Sequence, residues 1–138
     1  MQNRFRRFFA VSLISCCMVF AACAHHFSFN PENTVALEYS SIDESESFFT
    51  ELDGENAELV INALNKISYK EVKGTLYFPP SRDCLTIFIG DDTLCLYDAG
   101  SVIHNGGFIT YNGALCRTTD HFKFLLPYMD ASFSSIGG

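Results

Sequence analysis

Hydrophobic positions are spaced in three different ways along this chain. The first is an unbroken uncharged run from Phe8 to Ala24, preceded by Arg4, Arg6 and Arg7. The second is strict alternation, the signature of a half-buried strand. Val35, Leu37 and Tyr39 alternate with Ala36 and Glu38, and Phe48 to Leu52 gives a second short strand. The third is helical spacing. Ala57, Val60, Ile61, Leu64 and Ile67 fall on one face of a helix. Asp53 stands where an N-cap belongs, with Glu55 and Glu58 near the positive end of the helix dipole. This predicts a helix over 54–67, laid on a sheet by its apolar stripe.

Alternation resumes after the helix. Thr75 to Phe78 reads as a strand stopped by Pro79 and Pro80. Leu85, Ile87 and Ile89 then alternate with Cys84, Thr86 and Phe88, and Leu94 and Leu96 alternate with Cys95 and Tyr97. With Asp91-Asp92 as the loop, Ile89 faces Leu94, Phe88 faces Cys95, and Cys84 faces Ala99. One face of this hairpin is aliphatic. The other carries Phe88, Cys95 and Tyr97, and is apolar enough to predict cover from a terminal segment or a partner. Asn112-Gly113 between Phe108–Tyr111 and Ala114–Arg117 is the strongest turn signal, since both positions favour φ > 0. Thr118 or Thr119 can cap a short last helix bearing Phe122, Leu125, Leu126 and Met129, which Pro127 ends or kinks. The order is two strands, a helix, about five strands and a short helix. It predicts an α+β domain with an antiparallel sheet of hairpins and helices on one face.

The leading run fits an export signal with a basic start, an apolar core and a small-residue cleavage zone. Three readings of it stand. Phe20-Ala21-Ala22-Cys23 resembles a lipobox and makes Cys23 a lipidation site; Leu13-Ile14-Ser15-Cys16 fits the letters better but leaves a short apolar core. Alternatively, cleavage after Ala22-Cys23-Ala24 releases a secreted protein. Uncleaved, the 17 residues from Phe8 to Ala24 reach the lower limit of a membrane span, roughly 17–25 residues. Each reading keeps the arginines inside and places the domain outside. The organisation is a leader over 1–24, a tether over 25–33, one domain over 34–130 and a loose tail over 131–138.

Charge narrows the partners. Nine Lys and Arg stand against 16 Asp and Glu; loss of the three leader arginines leaves six basic residues and a net charge near −10. Such a surface repels nucleic acid and anionic headgroups. The membrane is then met through an N-terminal lipid or anchor, and the other partner is an envelope protein or ligand. Fourteen Phe and no Trp supply the core.

Candidate chemistry is sparse. Beyond the leader only Cys84, Cys95 and Cys116 remain, so one thiol is always left over. The hairpin register above puts Cys84 and Cys95 on one face but too far apart to bridge, since a disulfide needs Cα atoms within about 7 Å. A bridge from either to Cys116 depends on where the third strand falls, and all three fit as small packing residues. A thiol nucleophile made of Cys116 or Cys84 with His121 or His104 is the enzyme alternative, although no spacing selects such a pair. His25 and His26 fall short of the three or four ligands of a zinc site, and Asp91, Asp92 and Asp98 read as an acidic turn without calcium-loop spacing. No phosphate loop, dinucleotide fingerprint, H-E-x-x-H, G-x-S-x-G or C-x-x-C is present, and no cofactor is expected.

From Asp53 onward the layout resembles small exported α/β domains of unknown function from Gram-positive bacteria. The matching pieces are Ala63-Leu64-Asn65-Lys66-Ile67, Leu85 to Gly90, and Phe108 to Gly113. The resemblance implies a fold and a compartment and carries over no catalytic residue. The expected function is a non-enzymatic binding module of the cell envelope that works through the face around Phe88, Cys95 and Tyr97.

Overall fold

Alternation along the strands builds one antiparallel sheet. The computed structural model describes residues 24–43, 45–73 and 83–129. The leader with Cys23, the strand expected at Thr75–Phe78 and the tail lie outside them. The strands are β1 (His25–His26), β2 (Val35–Ser40), β3 (Ser47–Glu51), β4 (Ser68–Glu71), β5 (Cys84–Ile89), β6 (Asp92–Tyr97), β7 (Gly107–Tyr111) and β8 (Ala114–Thr118). The helices are α1 (Gly54–Leu64), α2 (Ala99–Asn105) and a 3-10 turn over Lys123–Tyr128. The fold is α+β, but the sheet dominates: eight strands run in the order β1-β4-β8-β7-β6-β5-β2-β3.

One sheet face is dry. Val35, Leu37, Leu85, Ile87, Ile89, Leu94, Leu96 and Ile109 are buried on it, together with Ala57, Val60, Ile61 and Leu64 of α1, Val102 and Ile103 of α2, and Phe122 and Leu125. Pairing puts Val35 beside Ile89, Leu37 beside Ile87, and Ile87 beside Leu94. Each contact therefore lies in a row crossing the central strands, where apolar cross-strand pairs stabilise a sheet.

The central hairpin corrects the expected register. Its loop is Gly90-Asp91, closing on an Ile89–Asp92 pair. Gly90 has φ +57, a value a tight two-residue loop takes from glycine at little cost. Every partner moves by two residues: Ile87 faces Leu94, Phe88 faces Thr93, Thr86 faces Cys95 and Cys84 faces Tyr97. A shift of two preserves the face of every side chain, so the division into an aliphatic and an aromatic face stands. The Asn112-Gly113 turn forms where expected, with φ +48 and +84.

Helix α1 starts at its N-cap, where Asp53 Oδ1 accepts the Asn56 N–H at 2.8 Å. It ends three residues before Ile67 because Asn65 is used elsewhere. Asn65 Oδ1 accepts the Phe29 N–H at 2.8 Å, and its Nδ2 donates to the Phe29 carbonyl at 3.0 Å. This clamp also corrects the expected tether over 25–33. His25 pairs with Tyr69 in the sheet, and Phe27 and Phe29 are 3% and 5% exposed. Their rings stack at 5.4 Å and meet Tyr111 edge-on at 5.3 and 5.8 Å. Aromatic area in a segment with few polar contacts is what docks it.

Two further elements differ from expectation. Helix α2 is new: Ala99, Val102 and Ile103 are buried at helical spacing, but seven residues that include Gly100 and stop at Gly106 gave too short a pattern to read. Thr118 and Thr119 do not cap the last helix. Thr118 ends β8, where its buried hydroxyl donates to the Ser68 carbonyl at 2.7 Å and accepts the Asp120 N–H at 3.1 Å. Asp120 Oδ2 in turn accepts the Ser68 N–H at 2.9 Å. The last turn begins at Lys123 and winds as a 3-10 helix containing Pro127.

Gly106 joins these pieces. It has φ +74, and a Cβ there would lie 2.7 Å from the backbone oxygens of both Asp120 and Thr118. Gly106→Ala should therefore cost about 2 kcal/mol or more, read as a lower urea midpoint at unchanged slope.

Candidate functional site

The open face of the sheet gathers the candidate residues. Because Ala36, Glu38, Cys84, Thr86, Phe88, Thr93, Cys95, Tyr97 and Thr110 alternate with the core positions, they point away from the helices. Pairing sets Glu38, Thr86, Cys95 and Thr110 in one row and Ser40, Cys84 and Tyr97 in the next. Phe88, Cys95 and Tyr97 are all partly exposed there, and Phe49 on β3 is 60% exposed. Phe108 is on the same face opposite Arg117, whose guanidinium carbon is 5.8 Å from its ring centroid.

Cys84 and Cys95 stand closer than the expected register put them, although still not directly opposed. With Cys84 opposite Tyr97 and Cys95 opposite Thr86, the two cysteines are diagonal neighbours. The Thr86 hydroxyl lies between them, 3.8 Å from Cys84 Sγ and 3.6 Å from Cys95 Sγ. Both are free thiols, about half-buried. The neighbouring Cys84, with the hydroxyls of Thr86 and Thr110, outweighs the cost of burial and favours the thiolate form of Cys95. Hydrogen bonds to a thiolate favour it; the Cys95 thiol is drawn down to about 6. Its neighbour Cys95, then partial burial, push the Cys84 thiol above the usual range. The two thiols titrate as a coupled pair, with Cys95 the side favoured as thiolate. Burial, then the nearby sulfur charge, also raises the Tyr97 phenol.

Cys116 behaves differently. Paired with Ile109, it lies on the helix side, 1% exposed. Its thiol donates to the Ala114 carbonyl at 3.5 Å, and burial pushes its pKa up. A bridge from Cys116 to either other cysteine would have to pass through the sheet. The Cys–His pairs weighed from the sequence are not assembled either. His104 lies in the last turn of α2, on the helix side of the sheet from Cys84. Exposed His121 accepts the Lys123 N–H at Nδ1, 3.2 Å away.

The remaining candidates are scattered. His25 and His26 are exposed in β1, and no group of three or more metal-ligating side chains occurs among the described residues. Asp91 sits in the hairpin loop and Asp92 accepts from Asn112 Nδ2 at 2.9 Å, whereas Asp98 caps α2 at the far end of β6. The three do not form one acidic turn. Near Asp98 a cavity of about 690 Å³ is lined by Tyr39, Asp43, Glu46, Asp83 and Asp98 among others. Asp83 already has structural work there. It accepts the Tyr39 hydroxyl at 3.1 Å and the Ala99 N–H at 3.2 Å. Burial, reinforced by Asp83, pushes Tyr39 up to about 12.

Sequence reasoning missed the Cys84–Cys95 pair through one turn assignment. Glycine at the first loop position was the signal that could have found it. No protein-family model matches the chain, and no curated protein or solved structure is detectably similar to it.

The environment of Cys95 makes a pH prediction. Below a pH of about 6 the sulfur holds its proton and alkylates slowly; above it the thiolate reacts. Peptide-resolved iodoacetamide labelling of Cys95 should inflect near that pH, and Thr86→Val should move the inflection upward. An inflection in the ordinary thiol range in the parent chain would remove the hydrogen-bonded thiolate.

Proposed function

We propose that this chain is an exported, envelope-tethered, non-enzymatic binding module that meets a protein partner through the open face of its sheet. The observation that carries the reading is the composition of that face. Phe49, Phe88 and Tyr97 lie on it with part of their surface open, while α1, α2 and the 3-10 turn all pack on the opposite side. An apolar patch on a solvated sheet face is the usual mark of an interaction surface. Glu38 stands within it, between Phe49 and Thr86, and Glu51 on the edge strand borders it, both exposed. With the whole mature chain near −10, this supports a partner that presents an apolar patch within a basic rim.

Export and anchoring rest on the basic start, the apolar run and the lipobox-like Phe20 to Cys23. The resemblance to small exported Gram-positive domains points the same way. No helix among the described residues is long and apolar enough to cross a membrane, and anchorage is assigned to the leader. The hydrolytic Cys–His alternative gains no support from the placement of His104 and His121.

Two measurements test this. Cys23→Ser, expressed in a Gram-positive host with palmitate labelling, should lose its label and its membrane association; labelling that persists moves the lipid elsewhere or removes it. A photo-cross-linking residue placed at Phe49 or Phe88 in intact cells should give one discrete adduct, weakened by Glu38→Lys with Glu51→Lys. The same probe at Leu59, 58% exposed on α1, should give none. Equal adducts from the helix and the sheet would overturn the docking face.

A further inference from the structure

We propose that Cys84 and Cys95 form a redox couple that exchanges with external disulfides of the glutathione class, Cys95 attacking and Cys84 resolving. The placement carries this. The two sulfurs flank one hydroxyl, at 3.8 and 3.6 Å, on adjacent strands of the open face. Neither is sealed in the core, and both stand as free thiols. The reading needs only the folded sheet and does not rest on the docking partner.

The steps balance. The Cys95 thiolate attacks one sulfur of the incoming disulfide; a Cys95–glutathione bond forms, the glutathione S–S bond breaks, and the departing thiolate takes a proton from water. Cys84 gives up its proton to solvent and attacks Cys95 Sγ. The Cys84–Cys95 bond forms, the mixed disulfide breaks, and a second glutathione thiolate leaves and is protonated. Two protein thiols are oxidised by two electrons, and one disulfide is reduced to two thiols.

The register also says what kind of bond results. Diagonal neighbours on antiparallel strands have Cα atoms about 7–8 Å apart, beyond the ordinary reach of a disulfide. Closing the bond requires β5 and β6 to shear or approach. A bond held under such strain is readily reduced, which is the property of an exchanging disulfide and not of a structural one. The same movement would displace Thr86 and Tyr97, so oxidation alters the middle of the open face.

The test uses the full-length chain in detergent, with Cys16, Cys17 and Cys23 replaced by serine so that the domain thiols are read alone. Incubation with glutathione disulfide followed by peptide mapping should show a Cys84–Cys95 bond with Cys116 still reduced. Cys84→Ser should accumulate a stable glutathione adduct on Cys95. At pH 6, Cys95→Ser should take up glutathione at Cys84 several-fold more slowly than Cys84→Ser takes it up at Cys95, because Cys95 keeps the Thr86 and Thr110 hydroxyls whereas Cys84 keeps one hydroxyl beside the Asp83 carboxylate. Circular dichroism confirms that each variant is folded. Failure of the bond to form in a folded parent chain, or equal rates at the two cysteines, would overturn the proposal. A bond that resists equimolar reduced glutathione would make it structural and overturn the exchange role.

Discussion

Everything in this domain depends on one side of the sheet being dry. The central strands place their alternate side chains against α1, α2 and the last turn, and that row of Leu, Ile and Val fixes their register. A slip by one residue would carry the aliphatic set into water and Thr, Glu and Lys into the core. A slip by two would keep the faces but misalign the rows. The Gly90-Asp91 loop and the Asn112-Gly113 turn exclude that second error, because their backbone conformations fit only one loop position each. Burial chooses the face, and turn chemistry chooses the partner.

That division explains what could be read from the amino acids. The α+β class, helix α1 with its Asp53 cap, the β5–β6 and β7–β8 hairpins and the separation of an aliphatic from an aromatic face all follow from periodicity. Contacts decided by single side chains did not. Asn65 looks like one more polar helix residue, yet its amide holds Phe29 by two hydrogen bonds and turns an apparent tether into core. Thr118 looks like a helix cap, yet with Asp120 it secures the start of β4 from the end of the neighbouring strand β8. Both interactions link positions far apart in sequence, so no local pattern records them. The open face was legible as a set of residues. Its central pair was not, because a neighbour relation between β5 and β6 depends on which residues of Gly90 to Thr93 form the loop.

The open face is not a failed core. Its rows mix threonine hydroxyls with aromatics and thiols, and acidic residues stand within and beside it. Thr86 and Thr110 bring hydroxyls to the row that holds Cys95, which the Glu38 carboxylate shares. Those hydroxyls help to hold a thiolate, since a sulfur anion spreads its charge over a large, polarizable atom and is supported by hydrogen bonds as well as by a cation. The same hydroxyls keep the face compatible with water while Phe49, Phe88 and Tyr97 keep it capable of burial. A surface of this composition can be exposed in one state and covered in another.

Cys95 and Cys116 make the sharpest comparison. They belong to the same sheet, two strands apart, and are the same residue type. Cys116 occupies a core position; burial raises its pKa and its thiol donates to the Ala114 carbonyl, so its sulfur favours the protonated form. Cys95 occupies the opposite parity, where the Thr86 hydroxyl lies 3.6 Å from its sulfur and Cys84 and Thr110 stand beside it, so the anion is favoured. The chemical difference comes from which side of the pleat each residue occupies, with no change in backbone geometry. The diagonal offset of Cys84 adds a second distinction. Had the two cysteines been directly opposed, the strands would already hold them at bonding distance and oxidation would set a permanent staple. Offset by one pair, they flank one hydroxyl as thiols and bond only if β5 and β6 move. The register that completes the core therefore also sets the open-face sulfurs on either side of Thr86 and too far apart to remain bonded without strain.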